Sequence, residues 1–165
     1  MKLAVGECNL VEVIRLSLDD PAFLVGTRQI VFEPVSQPII VRADAEIVMR
    51  IVQNLLANAL RLTPADGVVR VGIASEGDHV RIFVRDNGPG IPADLHQKIF
   101  DKYAQATAAP SSRQRTFGLG LAFCQLAVEA HGGCIGVDSE AGEGSTFWFT
   151  LLGARHALEE SSLLD

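Results

Sequence analysis

Residues 68–88, VVRVGIASEGDHVRIFVRDNG, constrain the fold more than any other stretch of the chain. Val69, Val71 and Ile73 alternate with Val68, Arg70 and Gly72. After Ser75, Glu76, Gly77 and Asp78, which read as a turn, the alternation resumes: Val80, Ile82 and Val84 alternate with Arg81, Phe83 and Arg85. Successive strand side chains point to opposite faces, so this pattern predicts two half-buried strands in an antiparallel hairpin. Its apolar face needs a second layer to cover it.

Helices supply that layer. Asp44 is placed to cap a long helix over about 45–62, which Pro64 and Gly67 terminate. Asn9 caps a short helix over 8–18, another short helix covers 93–100, and a third main helix over about 119–131 stops at Gly132 and Gly133. Residues 29–33 and 38–43 are rich in Val and Ile, and Pro34 and Pro38 flank the break between them. They read as a hairpin-like pair of strands. Two final strands, near 134–139 and 145–152, are separated by the turn 140–144. No βαβ repeat occurs. The expected fold is α+β: a two-layer α/β sandwich with a mixed, mostly antiparallel sheet of about five strands and three main helices on one face. Residues 104–117, AQATAAPSSRQRTF, are small, polar and interrupted by proline, and read as a mobile loop. One domain is expected over 1–152, with 153–165 as a tail.

With 48 % hydrophobic but only 6 % aromatic residues, the core must be mostly aliphatic. A net charge of −6 argues against non-specific nucleic-acid binding, yet leaves a polyphosphate site possible through local cations and helix N-termini. Cys8, Cys124 and Cys134 are odd in number and form no CxxC pair, which favours a reducing cytoplasm over a disulfide framework. No apolar run approaches the roughly 20 residues needed to cross a bilayer, and MKLAVGECNLVEV has no secretory pattern. A cytoplasmic domain without membrane contact is expected.

Three constellations could carry chemistry. On the long helix, Arg50, Asn54, Asn58 and Arg61 fall on one stripe. Asn is a poor helix former, and its carboxamide oxygen is a good neutral ligand for Mg²⁺; a solvated polar face is the bland alternative. Asp86-Asn87-Gly88-Pro89-Gly90-Ile91 follows a hydrophobic strand, where a fixed carboxylate could accept an amino proton from a base; an ordinary turn is its alternative. Gly118-Leu119-Gly120-Leu121 opens a helix, where backbone N–H groups and the helix dipole suit an anion. This last motif is neither a P-loop nor a dinucleotide fingerprint. His79, His96, His131 and His156 lack metal-ligand spacing, and His131-Gly132-Gly133 is most simply a helix stop.

The order and spacing of these segments resemble the ATP-binding catalytic domain of sensor histidine kinases, the kinases of two-component systems. That family belongs to the ATPase group shared with gyrase, heat-shock chaperones and mismatch-repair proteins. The resemblance covers roughly residues 9–152. NLLANALRLT (54–63) resembles the asparagine box, DNGPGI (86–91) the first glycine box, IFDKYAQ (99–105) the phenylalanine box and GLGLAF (118–123) the second glycine box. HGGCIGVDSEAGEGSTFWFTL (131–151) resembles the closing pair of strands.

The resemblance implies ATP and Mg²⁺ as ligands. Asn58 would ligate Mg²⁺, Asn54 would support the phosphates and Arg61 would reach them. Asp86 would accept the adenine amino hydrogen. Gly88 and Gly90 would let the backbone clear the purine, Ile91 would pack on it, and Tyr103 would flank the pocket. Backbone amides near Gly118, Leu119, Gly120 and Leu121 would meet the phosphates. Thr146 would bond near the adenine–Asp86 pair. Loop 104–117 would be the ATP lid, with Arg113 and Arg115 as phosphate contacts. Three residues depart from the common pattern: Leu62 where an aromatic or His is frequent, Phe117 where small residues precede GLGL, and Gln105 where a basic residue is common.

None of the four histidines is followed by Glu or Asp, as the family's acceptor histidine usually is. The acceptor is therefore expected on a separate dimerisation domain upstream of Met1, and the chain is not expected to autophosphorylate alone. No catalytic base is assigned. Hydrolytic relatives carry a Glu one turn before the metal-ligating Asn; here that position is Asn54, and an amide cannot act as a general base. This favours positioning the γ-phosphoryl for transfer, with a response regulator downstream. Two alternatives stay open. An anti-sigma-factor-type serine kinase shares the fold but typically carries a carboxylate at the position of Asn54. A degenerate interaction module would bind a partner and no nucleotide.

Overall fold

The computed structural model describes residues 1–23, 28–33, 35, 37–101 and 118–153. The elements run β1 (Gly6–Asn9), α1 (Leu10–Leu18), β2 (Gln29–Phe32), β3 (Ile40–Ala43), α2 (Ala45–Leu62), β4 (Val68–Glu76), β5 (His79–Asp86), α3 (Gly118–Ala130), β6 (Ile135–Ser139) and β7 (Ser145–Leu152). The main sheet has five strands in the order β2-β4-β5-β7-β6, and β1 with β3 forms a separate two-stranded sheet. The expected two-layer α+β architecture is present. No helix among the described residues is long and apolar enough to cross a membrane.

The central hairpin forms as its alternation predicts. Glu76 pairs with His79, so the turn tightens to Gly77 and Asp78, and Gly77 takes φ +61°, a left-handed conformation open to glycine at little cost. The inward set, Val69, Val71, Val80, Ile82 and Val84, is buried with Phe147, Phe149 and Leu151 of β7. The helices cover this face with Val48, Ile51, Val52, Leu55, Leu56 and Ala59 of α2, and Leu121, Cys124, Ala127 and Val128 of α3. Burial of each large side chain contributes about 1.5–3 kcal/mol.

Residues 29–33 and 38–43 do not form a hairpin. β2 lies parallel to β4, pairing Gln29 with Val68 through Phe32 with Val71. β3 lies antiparallel to β1, pairing Val41 with Cys8. A parallel pair needs a crossover, which the segment through α2 provides. The first helix begins at Leu10 because Cys8 and Asn9 belong to β1; Asn9 still caps it, accepting from the Glu12 nitrogen at 3.4 Å. In place of a helix over 93–100 there are two 3₁₀ turns, Ala93–Leu95 and Lys98–Phe100, and Ile99 and Phe100 are buried.

The start of α2 and the end of α3 are well defined. The Asp44 carboxylate caps α2 through the Ile47 nitrogen at 3.2 Å and also accepts from the Ala4 nitrogen at 2.9 Å. α3 ends in a Schellman motif: Gly132 at φ +78° donates to the Glu129 carbonyl and Gly133 to that of Val128. His131 is more than a helix stop. Its Nδ1 lies 2.7 Å from the Ala127 carbonyl, and its Nε2 accepts from the Asp44 nitrogen at 3.0 Å. The C-terminus of α3 is thereby tied to the N-terminus of α2.

Candidate functional site

The C-terminal half of α2, the loop after β5 and the N-terminus of α3 converge at one end of the sandwich. The apolar buried positions of α2 face the core, and the stripe carrying Arg50, Asn54, Asn58 and Arg61 runs alongside them, with Asn58 itself buried and Arg50 exposed. Arg50 lies over the Phe123 ring of α3, 4.4 Å from its centroid. Gly120, in the first turn of α3, sits against Asn54: a Cβ there would come within 3.1 Å of Asn54 Oδ1. The first-turn N–H groups of a helix have no intrahelical partners, so the start of α3 at Gly118 to Gly120 turns backbone donors toward Asn54. Asn58 is only 2 % exposed; its Oδ1 accepts from Arg61 Nη2 at 3.2 Å, and its Nδ2 has no partner among the described residues. Partial desolvation draws the Arg61 pKa downward, yet the guanidinium stays charged.

Asp86 closes β5 and is 1 % exposed. Its Oδ1 accepts from the Gly88 nitrogen at 2.8 Å and the Ser145 nitrogen at 3.2 Å. Its Oδ2 is buried and has no partner among the described residues. Burial raises the pKa of this carboxyl, and the two backbone donors oppose the rise. A buried carboxylate oxygen is costly to leave unpaired, so a ligand donor is the natural complement.

The glycine loop is held by its neighbours. A Cβ on Gly88 would come within 2.6 Å of the Leu62 carbonyl, so the loop packs directly on the end of α2. Gly90 takes φ +79°, and a Cβ there would lie 2.1 Å from the Glu140 carbonyl. Gly142 donates to the Pro89 carbonyl at 2.7 Å. The turn 140–144 therefore braces the loop 86–91. Ile91 is 4 % exposed and joins the core, and its nitrogen donates to Ser139 Oγ at 2.7 Å. A cleft of about 630 Å³ is lined by Arg28, Leu62, Thr63, Asn87, Gly88 and Pro89, among others.

The structure brings together Asn54, Asn58, Arg61, Gly120 and Leu121 on the helices, and Asp86, Gly88, Gly90 and Ile91 on the loop. Thr146 is not on the face of Asp86. It pairs with Arg85 and Asp138, whereas Ser145 pairs with Asp86. Directly opposed residues share a face, so Ser145 holds the position expected of Thr146. Alternation along β7 could have revealed this, because Ser145 is in phase with the buried Phe147 and Phe149. Ser139 was also missed, since nothing local marks it. Tyr103, Gln105, Arg113, Arg115, Phe117 and the whole expected lid 104–117 lie outside the described residues, as do 154–165 of the expected tail.

Comparison with known proteins agrees with this fold. The pattern of the histidine kinase-, DNA gyrase B-, and HSP90-like ATPase family matches residues 43–155. Sensor histidine kinase AruS of Pseudomonas aeruginosa is 39 % identical over 115 residues, 67 % of this chain and 11 % of AruS. Adaptive-response sensory kinase SasA of Synechococcus sp. (strain JA-3-3Ab) is 32 % identical over 155 residues, 92 % of this chain and 40 % of SasA. The chain thus spans less than half the length of either relative. The solved catalytic domain of histidine kinase ThkA is similar with a TM-score of 0.77 and 28 % identity, covering 94 % of this chain and 99 % of that one. Full-length ShkA, solved in complex with AMPPNP, has a TM-score of 0.77 at 28 % identity, covering 93 % of this chain and 32 % of that one. With well over half its residues inside the family's pattern and sensor histidine kinases among its relatives, the chain belongs to the histidine kinase-, DNA gyrase B- and HSP90-like ATPases.

Proposed function

We propose that this domain binds ATP with Mg²⁺ and presents the γ-phosphoryl group to a histidine on a separate dimerisation and acceptor domain of the same kinase, from which a response regulator would receive it. The observation that carries the reading is Asp86, whose Oδ1 is satisfied by two backbone donors while its buried Oδ2 has no partner among the described residues. That oxygen is suited to an amino hydrogen of adenine. Ser145, in place of Thr146, shares its face.

The donor set fits the other ligands. Asn58 Oδ1 has two lone pairs, of which Arg61 takes one. The second could ligate Mg²⁺, which binds through few protein oxygens plus phosphates. The metal would neutralise phosphate charge and orient the transferred group. Arg61 adds a positive charge beside Asn58, and the start of α3 adds backbone donors and the positive end of a helix dipole near Asn54. Gly88 and Gly90 keep the loop close to α2 and to the turn 140–144. Within this reading Tyr103, Arg113 and Arg115 complete the pocket and lid. Ile91 is fixed in the core and would pack beside the base. AMPPNP in the ShkA complex supports nucleotide binding at this fold.

Calorimetric titration with a non-hydrolysable ATP analogue, with and without Mg²⁺, tests the reading. Micromolar-range binding is expected, weakened in Asp86→Ala and stripped of its Mg²⁺ dependence in Asn58→Ala. Absence of binding by the intact chain up to millimolar nucleotide would refute it and favour an interaction module.

A further inference from the structure

Ser139 ends β6 directly opposite Ser145 at the start of β7, and Ser145 in turn lies opposite Asp86 of β5. Three groups surround the Ser139 hydroxyl. The Ile91 nitrogen is 2.7 Å away, the Gly144 carbonyl 3.0 Å and the Ser145 hydroxyl 2.8 Å. A serine hydroxyl has one proton and two acceptor lone pairs. The Ile91 N–H can only donate and the Gly144 carbonyl can only accept. All three contacts are satisfied in one arrangement: Ser139 gives its proton to Gly144 and accepts from Ile91 and from Ser145.

This arrangement decides the polarity of Ser145. Its proton is committed to Ser139, so on the sheet face it shares with Asp86 the Ser145 oxygen has only lone pairs left to offer. Asp86 Oδ2, without a partner among the described residues, is an acceptor as well. Two acceptors on directly paired residues of one face suit a base edge that donates, as the six-amino group of adenine does. A six-oxo purine would set its own lone pairs against them. Removing the Ser139 hydroxyl frees the Ser145 proton to rotate and donate to a six-oxo group.

We propose that Ser139 is a specificity-determining positioning residue: by holding the Ser145 hydroxyl as an acceptor, it turns the base pocket against six-oxo purines. It acts through Ser145 and needs no contact with the base. The same hydroxyl anchors Ile91, and so links base discrimination to the posture of the glycine loop. The proposal rests on the nucleotide reading above and adds to it a residue that neither Asp86 nor the asparagine box accounts for.

The test compares affinities for ATP and ITP, whose bases differ at the six-position and N1, on the intact chain and on Ser139→Ala and Ser139→Thr. Circular dichroism melts check that each variant folds. The intact chain should favour ATP. Ser139→Ala should reduce the ATP-to-ITP affinity ratio by about threefold to tenfold, the worth of one hydrogen bond, largely through improved ITP binding. Ser139→Thr keeps a hydroxyl and should keep the ratio. Should Ser139→Ala fail to fold, Ser145→Ala carries the test and should lower the ratio likewise. An unchanged ratio, with both affinities falling together, would show a merely structural role and overturn the proposal. Absence of ATP binding by the intact chain overturns the nucleotide reading itself, and this one with it.

Discussion

Replacement of Gly90 by alanine tests whether the turn 140–144 holds the glycine loop in place. Gly90 has φ +79°, so any L-residue there carries a backbone penalty of about 1–2 kcal/mol. The new Cβ would lie 2.1 Å from the Glu140 carbonyl and 2.8 Å from its carbon, both backbone atoms that no rotamer can move. Relief requires the turn to shift, which strains the Gly142–Pro89 hydrogen bond of 2.7 Å, worth about 1 kcal/mol net. Overpacking of this kind, the strained hydrogen bond included, adds about 1–3 kcal/mol to the backbone penalty, for a total of about 2–5 kcal/mol. Gly142→Ala is the internal control. Its φ is +86°, but a Cβ there meets nothing within 4 Å, so only the backbone penalty of about 1–2 kcal/mol applies. Equilibrium urea unfolding of both variants measures the difference. Gly90→Ala should also weaken nucleotide binding, because the loop carries Asp86 and Gly88. Equal destabilisation by the two substitutions would refute the bracing argument, since they share the backbone term and differ only in the clash.

Three further outcomes follow from the geometry. His131→Phe removes the acceptor of the Asp44 nitrogen and the contact with the Ala127 carbonyl; it should destabilise by about 1–3 kcal/mol in urea, and an unaltered midpoint would show the tie between α2 and α3 to be idle. The Asp44 carboxyl pKa is lowered, first by the Ala4 backbone donor and further by that of Ile47, against the opposing effect of burial. Its contribution is therefore present at neutral pH and lost as pH falls below about 4 and through the depressed value. Asp44→Asn should flatten that acid limb in thermal melts, and an unchanged limb would contradict the assignment. Asp86 behaves oppositely: burial raises its pKa, so its ionisation costs stability as pH rises through the raised value. Asp86→Asn should leave the melting temperature at pH 7 equal or higher while abolishing selective adenine binding; a marked fall in melting temperature would count against a strained carboxylate.

Much of this protein is legible along the chain because it is local. The alternation of 68–86 specifies the central hairpin, and Asp44 and Gly132 mark helix ends through capping chemistry that needs only neighbouring residues. The ordered asparagine, glycine and closing-strand motifs were enough to place the chain in its family. Periodicity tells which side of a strand is apolar but not which strand lies beside it. For that reason β2 was assigned to β3, although one joins β4 and the other β1. The choice of Ser145 over Thr146 was set by register across β5 and β7, where a slip of one residue reverses the face. The bond from Ser145 to Asp86 spans 59 positions, that from Ile91 to Ser139 spans 48, and that from Asp44 to His131 spans 87. Sequence by itself determined most of the elements, the caps at Asn9 and Asp44, and the family; the tertiary structure alone decided which hydroxyls, amides and carboxylates meet, because those meetings depend on strand order and register rather than on any local pattern.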